Sequence, residues 1–359
     1  MLYGSERNYG CRFLEVSLHG LRTIILENEV LRTVILLDKG TDIIEFTHKP
    51  TDTGFIWRSP LGLSCLKQTP FLRRDDRFLL DSYTGGWFEA FPNVGGACSY
   101  KGAPIPEYGE VCSLPWEYRV LRDDPEEVSL LCYVRTIRTP FLLEKTFTVK
   151  TRDAALLIDE KATNLGRETM DFQWGHHPNF GSPFLDGDCL IDLPGGEANA
   201  YASLQNARVK TGASGQWPFL EGLDGQSVDF RKMPPKGAGV YDILFLSKLK
   251  GGWAAVRNTV KGIGIGLSWD ASLFNNCLLW MVANGDPGYP RYGDTYALCV
   301  LPSNANVHTL EAGAKAGSVT TLKPGESRST WLTATVFTQA QEVAGISRQG
   351  AVRFQNPQA

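Results

Sequence analysis

Short runs of apolar and β-branched residues, broken by turn signals, recur along almost the whole chain. Residues 31–37 and 41–46 form one such pair, separated by Asp38-Lys39-Gly40, where glycine suits a tight reversal. Across residues 139–151 the pattern alternates, with Phe141, Leu143, Lys145, Phe147 and Val149 on one face and mostly polar neighbours on the other. That period of two is the signature of a half-buried strand. A second strand is predicted over 154–163, ending at Asn164-Leu165-Gly166. Similar runs predict strands over 242–249, 252–257, 262–269, 277–282, 295–301 and 329–337. Helical signals are nearly absent. Only residues 340–346 suggest a helical turn or two, and the tail 340–359 is expected to fray.

Strands at this density, punctuated by 37 glycines and 20 prolines, predict an all-β protein with few short helices. A large sandwich fits better than strand–helix–strand units. The stretch 210–239 is rich in Gly, Ser and Pro, but Trp217, Phe219, Leu223 and Phe230 within it predict a structured loop rather than a tether. No composition break or internal repeat divides the chain, so one domain over residues 1–359 is expected.

Composition narrows the functional classes. With 43% hydrophobic and 21% charged residues, 359 residues can bury an ample core without disulfides or a structural metal. The net charge of −3 comes with no basic stripe, so neither nucleic acid nor an anionic membrane is an expected partner. The cysteines (11, 65, 98, 112, 132, 189, 277 and 299) form no C-x-x-C pair and have no histidine at metal-ligand spacing. They read as reduced, small hydrophobic residues. The first ten residues lack a basic segment followed by an apolar one, and no apolar run approaches the ~20 residues of a membrane span. A cytoplasmic location is the simplest expectation. Gly262-x-Gly264-x-Gly266 lacks the third glycine of a nucleotide loop and lies in a strand-like alternation. No nucleophile-elbow, Walker, zinc-protease or calcium-loop pattern is present.

What remains is a set of turn-like segments rich in Gly, Trp, Asn and His. They are Gly85 to Gly96 (GGWFEAFPNVGG), Glu107-Tyr108-Gly109-Glu110 followed by Leu114-Pro115-Trp116-Glu117, Trp174 to Gly181 (WGHHPNFG), Trp280 through Asp286 to Tyr296, and Leu322 to Ser327 (LKPGES). Their order and spacing, from about residue 21 to 337, resemble the aldose 1-epimerase (galactose mutarotase-like) family. The resemblance implies a β-supersandwich with a sugar site in the groove of one sheet. It implies a small-molecule carbohydrate as partner, and no cofactor or metal.

Mutarotation opens a cyclic sugar at C1 and closes it on the other face, so an acid serves the ring oxygen while a base takes the anomeric hydroxyl proton. By the resemblance, the acid histidine maps to His177, with His176 beside it as an assistant or as a residue of the opposite strand face. The hydroxyl-binding aspartate maps to Asp242. Trp280 is a candidate for stacking on the sugar, and Asn93, Tyr108 and Glu110 lie in the segments expected to border the site. Three positions depart from the family pattern. Leu301 stands where the base glutamate is expected, Tyr108 where a second histidine is expected, and Gly96 where an arginine often follows the glycine. Glu89, Glu107, Glu110, Asp286 and Asp294 are alternative carboxylates. Three readings stay open: an epimerase-like isomerase with a relocated base, a non-catalytic sugar-binding protein, and a hydrolase or lyase on the same scaffold.

Overall fold

Every strand pairing in the two main sheets is antiparallel. The computed structural model describes residues 7–63, 83–201, 204–305 and 307–356. In it a twelve-stranded sheet faces an eight-stranded one. The middle of the larger sheet runs, strand beside strand, through Asp42–His48, Trp87–Ala90, Gly175–Phe180, Tyr296–Ser303, Asn276–Ala283 and Val240–Ser247. The smaller is centred on Ile263–Trp269, Ser327–Phe337, Ala155–Asn164 and Phe141–Lys150. This is the large two-sheet β-sandwich that the sequence predicts.

The alternating run at 139–151 becomes the strand Phe141–Lys150, whose Phe141, Leu143, Phe147 and Val149 are buried between the sheets. Central strands such as Tyr296–Ser303 are buried along their whole length. One of their faces meets the core and the other floors a groove covered by loops. The segment 210–239 carries the short strands Ser214–Gln216, Phe219–Glu221 and Ser227–Asp229, a structured loop as its aromatic content requires. Seven described cysteines are free thiols, all buried except the half-buried Cys98, and Cys65 lies outside the described residues.

Two local expectations change. The helix falls at Leu310–Ala316, where Thr309 accepts from the Ala312 amide and Gly317 closes the C-terminus at φ 65°. The tail is not helical, and most of it is ordered: Val343–Ile346 pairs with Val352–Phe354, packing Val343, Ile346 and Phe354 around Phe337.

A charged tetrad sits between the sheets. Glu89 and His176 are cross-strand neighbours on the large sheet, Lys145 and Glu160 on the small one. Lys145 Nζ lies 2.6 Å from Glu89 Oε2 and 3.7 Å from Glu160 Oε1, and donates to Thr41 Oγ1 at 3.0 Å. His176 Nε2 is 2.8 Å from Glu160 Oε2, and Trp174 Nε1 donates to Glu89 Oε1 at 2.6 Å. Burial disfavours the Lys145 ammonium, but the two carboxylates outweigh it and raise its pKa. Removing the ammonium leaves two buried carboxylates facing each other. Lys145→Met is therefore expected to lower stability by about 3–5 kcal/mol in urea unfolding, and adding Glu89→Gln should recover part of that loss. A loss below about 1 kcal/mol in the single variant would show that the tetrad does not tie the sheets.

Candidate functional site

Strand alternation decides which residues reach the groove. On Val240–Ser247, Tyr241, Ile243 and Phe245 face it, whereas Leu244 and Leu246 enter the core between the sheets. On Gly175–Phe180 the same rule sends His177 to the groove and His176 to the tetrad. The groove encloses about 370 Å³, within the range of small-molecule sites. Its lining includes Tyr83, Glu107, Tyr108, His177, Tyr201, Tyr241, Trp280, Asp286, Arg291 and His308.

His177 lies on the floor, 5% exposed. Its ring stacks on Phe88 at 4.5 Å and meets Tyr108 edge-on at 5.3 Å, with Trp280 6.3 Å away. Nδ1 is 3.4 Å from Cys299 Sγ. The register that sets Gly175 opposite Ser303 and Asn179 opposite Cys299 sets His177 opposite Leu301. Position 301, where the resemblance implies the base, is thus the cross-strand neighbour of the implied acid, and it is apolar. Burial pushes the His177 pKa down to about 3, and the nearby Arg291 charge adds to the effect. The imidazole is neutral at physiological pH. It can donate or accept one hydrogen bond at each nitrogen, and it is not a reservoir of a positive charge.

Arg291 supplies the cation. Its Nη1 is 2.6 Å from Asp286 Oδ2, and the guanidinium lies 5.0 Å from the Trp280 ring and 5.8 Å from that of Tyr83. Burial opposes the charge, but Tyr83 and Asp286 outweigh it and raise the Arg291 pKa. Its Nε is buried with no hydrogen-bond partner among the described residues. An orphan donor at a groove wall suits a ligand oxygen. Burial also raises the phenols of Tyr83, Tyr108 and Tyr241, so all three are neutral hydroxyls. The Glu107 carboxylate is close enough to add to the rise at both Tyr108 and Tyr241.

Of the residues expected from sequence, the groove brings together His177, Tyr108 and Trp280, along with the carboxylates Glu107 and Asp286. Six of the expected residues lie elsewhere. His176 and Glu89 belong to the tetrad, on the opposite strand face. Asp242 is buried on the far face of its strand, accepting from Arg208 Nε at 2.6 Å and Arg208 N at 2.9 Å. Glu110 is consumed by the backbone of Ile137 and Arg138 and the hydroxyl of Thr139. Asn93 organises loops, donating to the carbonyls of Gly95, Gly96 and Pro106 and accepting from Leu310 N. Asp294 is exposed outside the lining.

Tyr83, Tyr241, Arg291 and His308 were not singled out from sequence. For Tyr241 the signal was the period-two pattern around Asp242, which puts the two on opposite faces. Gly96 has a physical partner in His308, because a Cβ there would lie 3.1 Å from His308 Nε2. The space an arginine would need is filled.

The only group of described side chains placed to hold a metal ion is Glu89, Glu160 and His176. Lys145 already sits among them as the counter-cation, so the donor set is satisfied as an ion-pair cluster.

Residues 18–336 match the family described as a domain of unknown function, DUF4432. The chain belongs to the DUF4432 family. Among curated proteins none matches its sequence. Its fold is shared with a Klebsiella pneumoniae protein provisionally named an aldose 1-epimerase, at 16% identity and TM-score 0.73, covering 94% of this chain and 91% of that one. A galactose mutarotase-like protein of Clostridium acetobutylicum aligns at 12% identity and TM-score 0.63, over 92% of this chain and 99% of the other. A galactose mutarotase related enzyme of Lactobacillus acidophilus aligns at 17% identity and TM-score 0.56, over 89% and 99%. At these identities the likeness establishes the supersandwich of this DUF4432 member. No helix among the described residues is long and apolar enough to cross a membrane.

The buried histidine makes two predictions. Between pH about 3 and the unfolded value near 6.5 the unfolded chain binds the extra proton, so this group adds stability as pH rises through that window. His177→Gln should remove a slope of up to about 1.4 kcal/mol per pH unit there, read from urea unfolding between pH 4 and 6; an unchanged slope would contradict a buried neutral imidazole. Leu301→Glu should raise the His177 pKa by roughly 1–3 units in an NMR titration, because an opposite charge would then face it across the strands. No shift would mean that the two side chains do not meet.

Proposed function

We propose that the groove binds a carbohydrate and acts at its anomeric centre, as an aldose 1-epimerase-like isomerase. The observation that carries this reading is His177 on the groove floor between Phe88, Tyr108 and Trp280, within reach of the Arg291–Asp286 pair. Aromatic faces suit the C–H-rich faces of a sugar ring, and a few convergent polar groups fix its orientation. The fold shared with proteins named for mutarotase activity supports the same substrate class.

The chemistry follows from the protonation states. A neutral imidazole can polarise an oxygen by donating its N–H. His177 takes this part at the ring oxygen. As the C1–O5 bond breaks its electron pair goes to O5, which accepts the His177 N–H. The O1 proton passes to a carboxylate and is returned when the ring closes on the other face. A carboxylate must accept the O1 proton, and position 301 offers none. Of the two carboxylates that line the groove, Glu107 adjoins Tyr108, whose ring meets His177 edge-on, and we assign the base to it. Arg291 Nε then serves a sugar hydroxyl.

Leu301 favours a second reading, a binding protein that kept the groove without the reaction, because the acid has an alkyl group where its base partner belongs. Anomer exchange followed by proton NMR over a panel of aldoses separates the two. Under the isomerase reading exchange accelerates over buffer, and His177→Ala and Glu107→Gln each slow it by about 100-fold or more. Line broadening of a sugar without acceleration would establish the binding reading instead. Absence of both across the panel would reject a carbohydrate site.

A further inference from the structure

The groove is divided along its length. Strand Asn276–Ala283 ends at the loop that supplies Asp286 and Arg291, so charge gathers at that end, near Tyr241 and Trp280. The neighbouring antiparallel strand Tyr296–Ser303 ends at the opposite side, where Ala305, Val307 and His308 follow. Along the floor, the registers place Phe245 opposite Leu278 and Leu278 opposite Leu301. Leu204 and Val307 line the same space, and Tyr201 closes it, its ring 5.3 Å from Phe245 and 5.1 Å from His308. Phe245, Leu278, Leu204 and Val307 are only half-buried. Four half-exposed apolar side chains converging in one concavity are an unfavourable surface to leave in water. The polar groups at this end are Ser303, the Tyr201 hydroxyl and His308. Burial raises the Tyr201 phenol, and partial desolvation lowers the pKa of the solvent-exposed His308.

A sugar with hydroxyls all round would meet partners at the Arg291 end and lose them at the Phe245 end. We propose that the ligand is an aldose carrying an alkyl or acyl group away from its anomeric carbon, with that group seated against Phe245, Leu278, Leu301 and Val307. This rests on the carbohydrate reading and names its substrate class. The anomeric hydroxyl stays free, as ring opening beside His177 requires.

The test is calorimetric titration of the full chain with glucose, galactose and mannose and with their mono-O-butyl ethers at O2, O3, O4 or O6. At least one regioisomer should bind about tenfold or more tightly than its parent aldose, and the ratio should fall toward one in Phe245→Asn. Leu278→Asn serves as the second variant if Phe245→Asn does not fold. Equal affinity of parents and ethers, or an ether advantage that survives a folded variant, would overturn the proposal while leaving the carbohydrate site standing. Binding of butanol as tightly as the ethers, or of no sugar at all, would overturn the carbohydrate reading and this inference with it.

Discussion

The tetrad of Glu89, His176, Lys145 and Glu160 ties the two sheets together at the point that matters for the groove. Each sheet contributes one cross-strand pair, and the pairs meet between the sheets with Thr41 and Trp174 completing their hydrogen bonds. Buried ion pairs add little net stability compared with apolar packing, because desolvation offsets the attraction. They discriminate strongly between alignments, since a slipped register would strand unpaired charges in the core. The consequence reaches the groove through one peptide bond. Holding His176 against Glu160 on the inner face presents His177 on the outer face, and holding Glu89 inside presents Phe88 for the imidazole to stack on.

The electrostatics of the groove follow from that placement. His177 is surrounded by Phe88, Trp280 and Leu301, and no carboxylate stands at the cross-strand position. Its proton affinity falls because hydrogen bonding, including that of Asn179, does not offset the cost of burying a charge there, and Arg291 adds repulsion. Carboxylates enter from loops instead, Glu107 from the segment before Tyr108 and Asp286 from the loop after Asn276–Ala283. In this chain the sheet supplies shape and a neutral hydrogen-bonding group, and the loops supply the charges.

The all-β architecture was legible because apolar periodicity and turn residues are local properties. The strands read at 139–151, 262–269 and 329–337 differ from Phe141–Lys150, Ile263–Trp269 and Ser327–Phe337 only at their ends. The helix Leu310–Ala316 was missed although Thr309 and Gly317 mark both its ends, because seven residues give too little periodicity. The groove was legible only in part. His177, Tyr108 and Trp280 lie in motif segments whose order carried the resemblance, but which face of a strand a residue occupies depends on register. Asp242 and His176 were one residue away from groove positions, and that single step decides between a groove position and a core partner. Arg291 stands in a loop, and its pairing with Trp280 and Tyr83 is a tertiary fact without a local pattern.

The departures at Gly96, Tyr108 and Leu301 make more sense together than apart. Gly96 leaves room for His308, and Arg291 enters from a different loop, so the groove keeps a guanidinium but places it at the end away from His308. Tyr108 keeps an aromatic edge against His177 and Phe88 where a second imidazole would bring a titratable group. Leu301 continues the apolar row from Leu278 and Phe245 up to His177. Gly96 and Leu301 leave one half of the groove without the arginine and glutamate that the resemblance implies, and Arg291 with Asp286 concentrates charge in the other. Independent decay of an unused site would scatter polar and apolar residues without regard to position. A division aligned with the strand rows is the pattern expected when the groove still selects a ligand, one whose own polar and apolar parts are arranged in the same way.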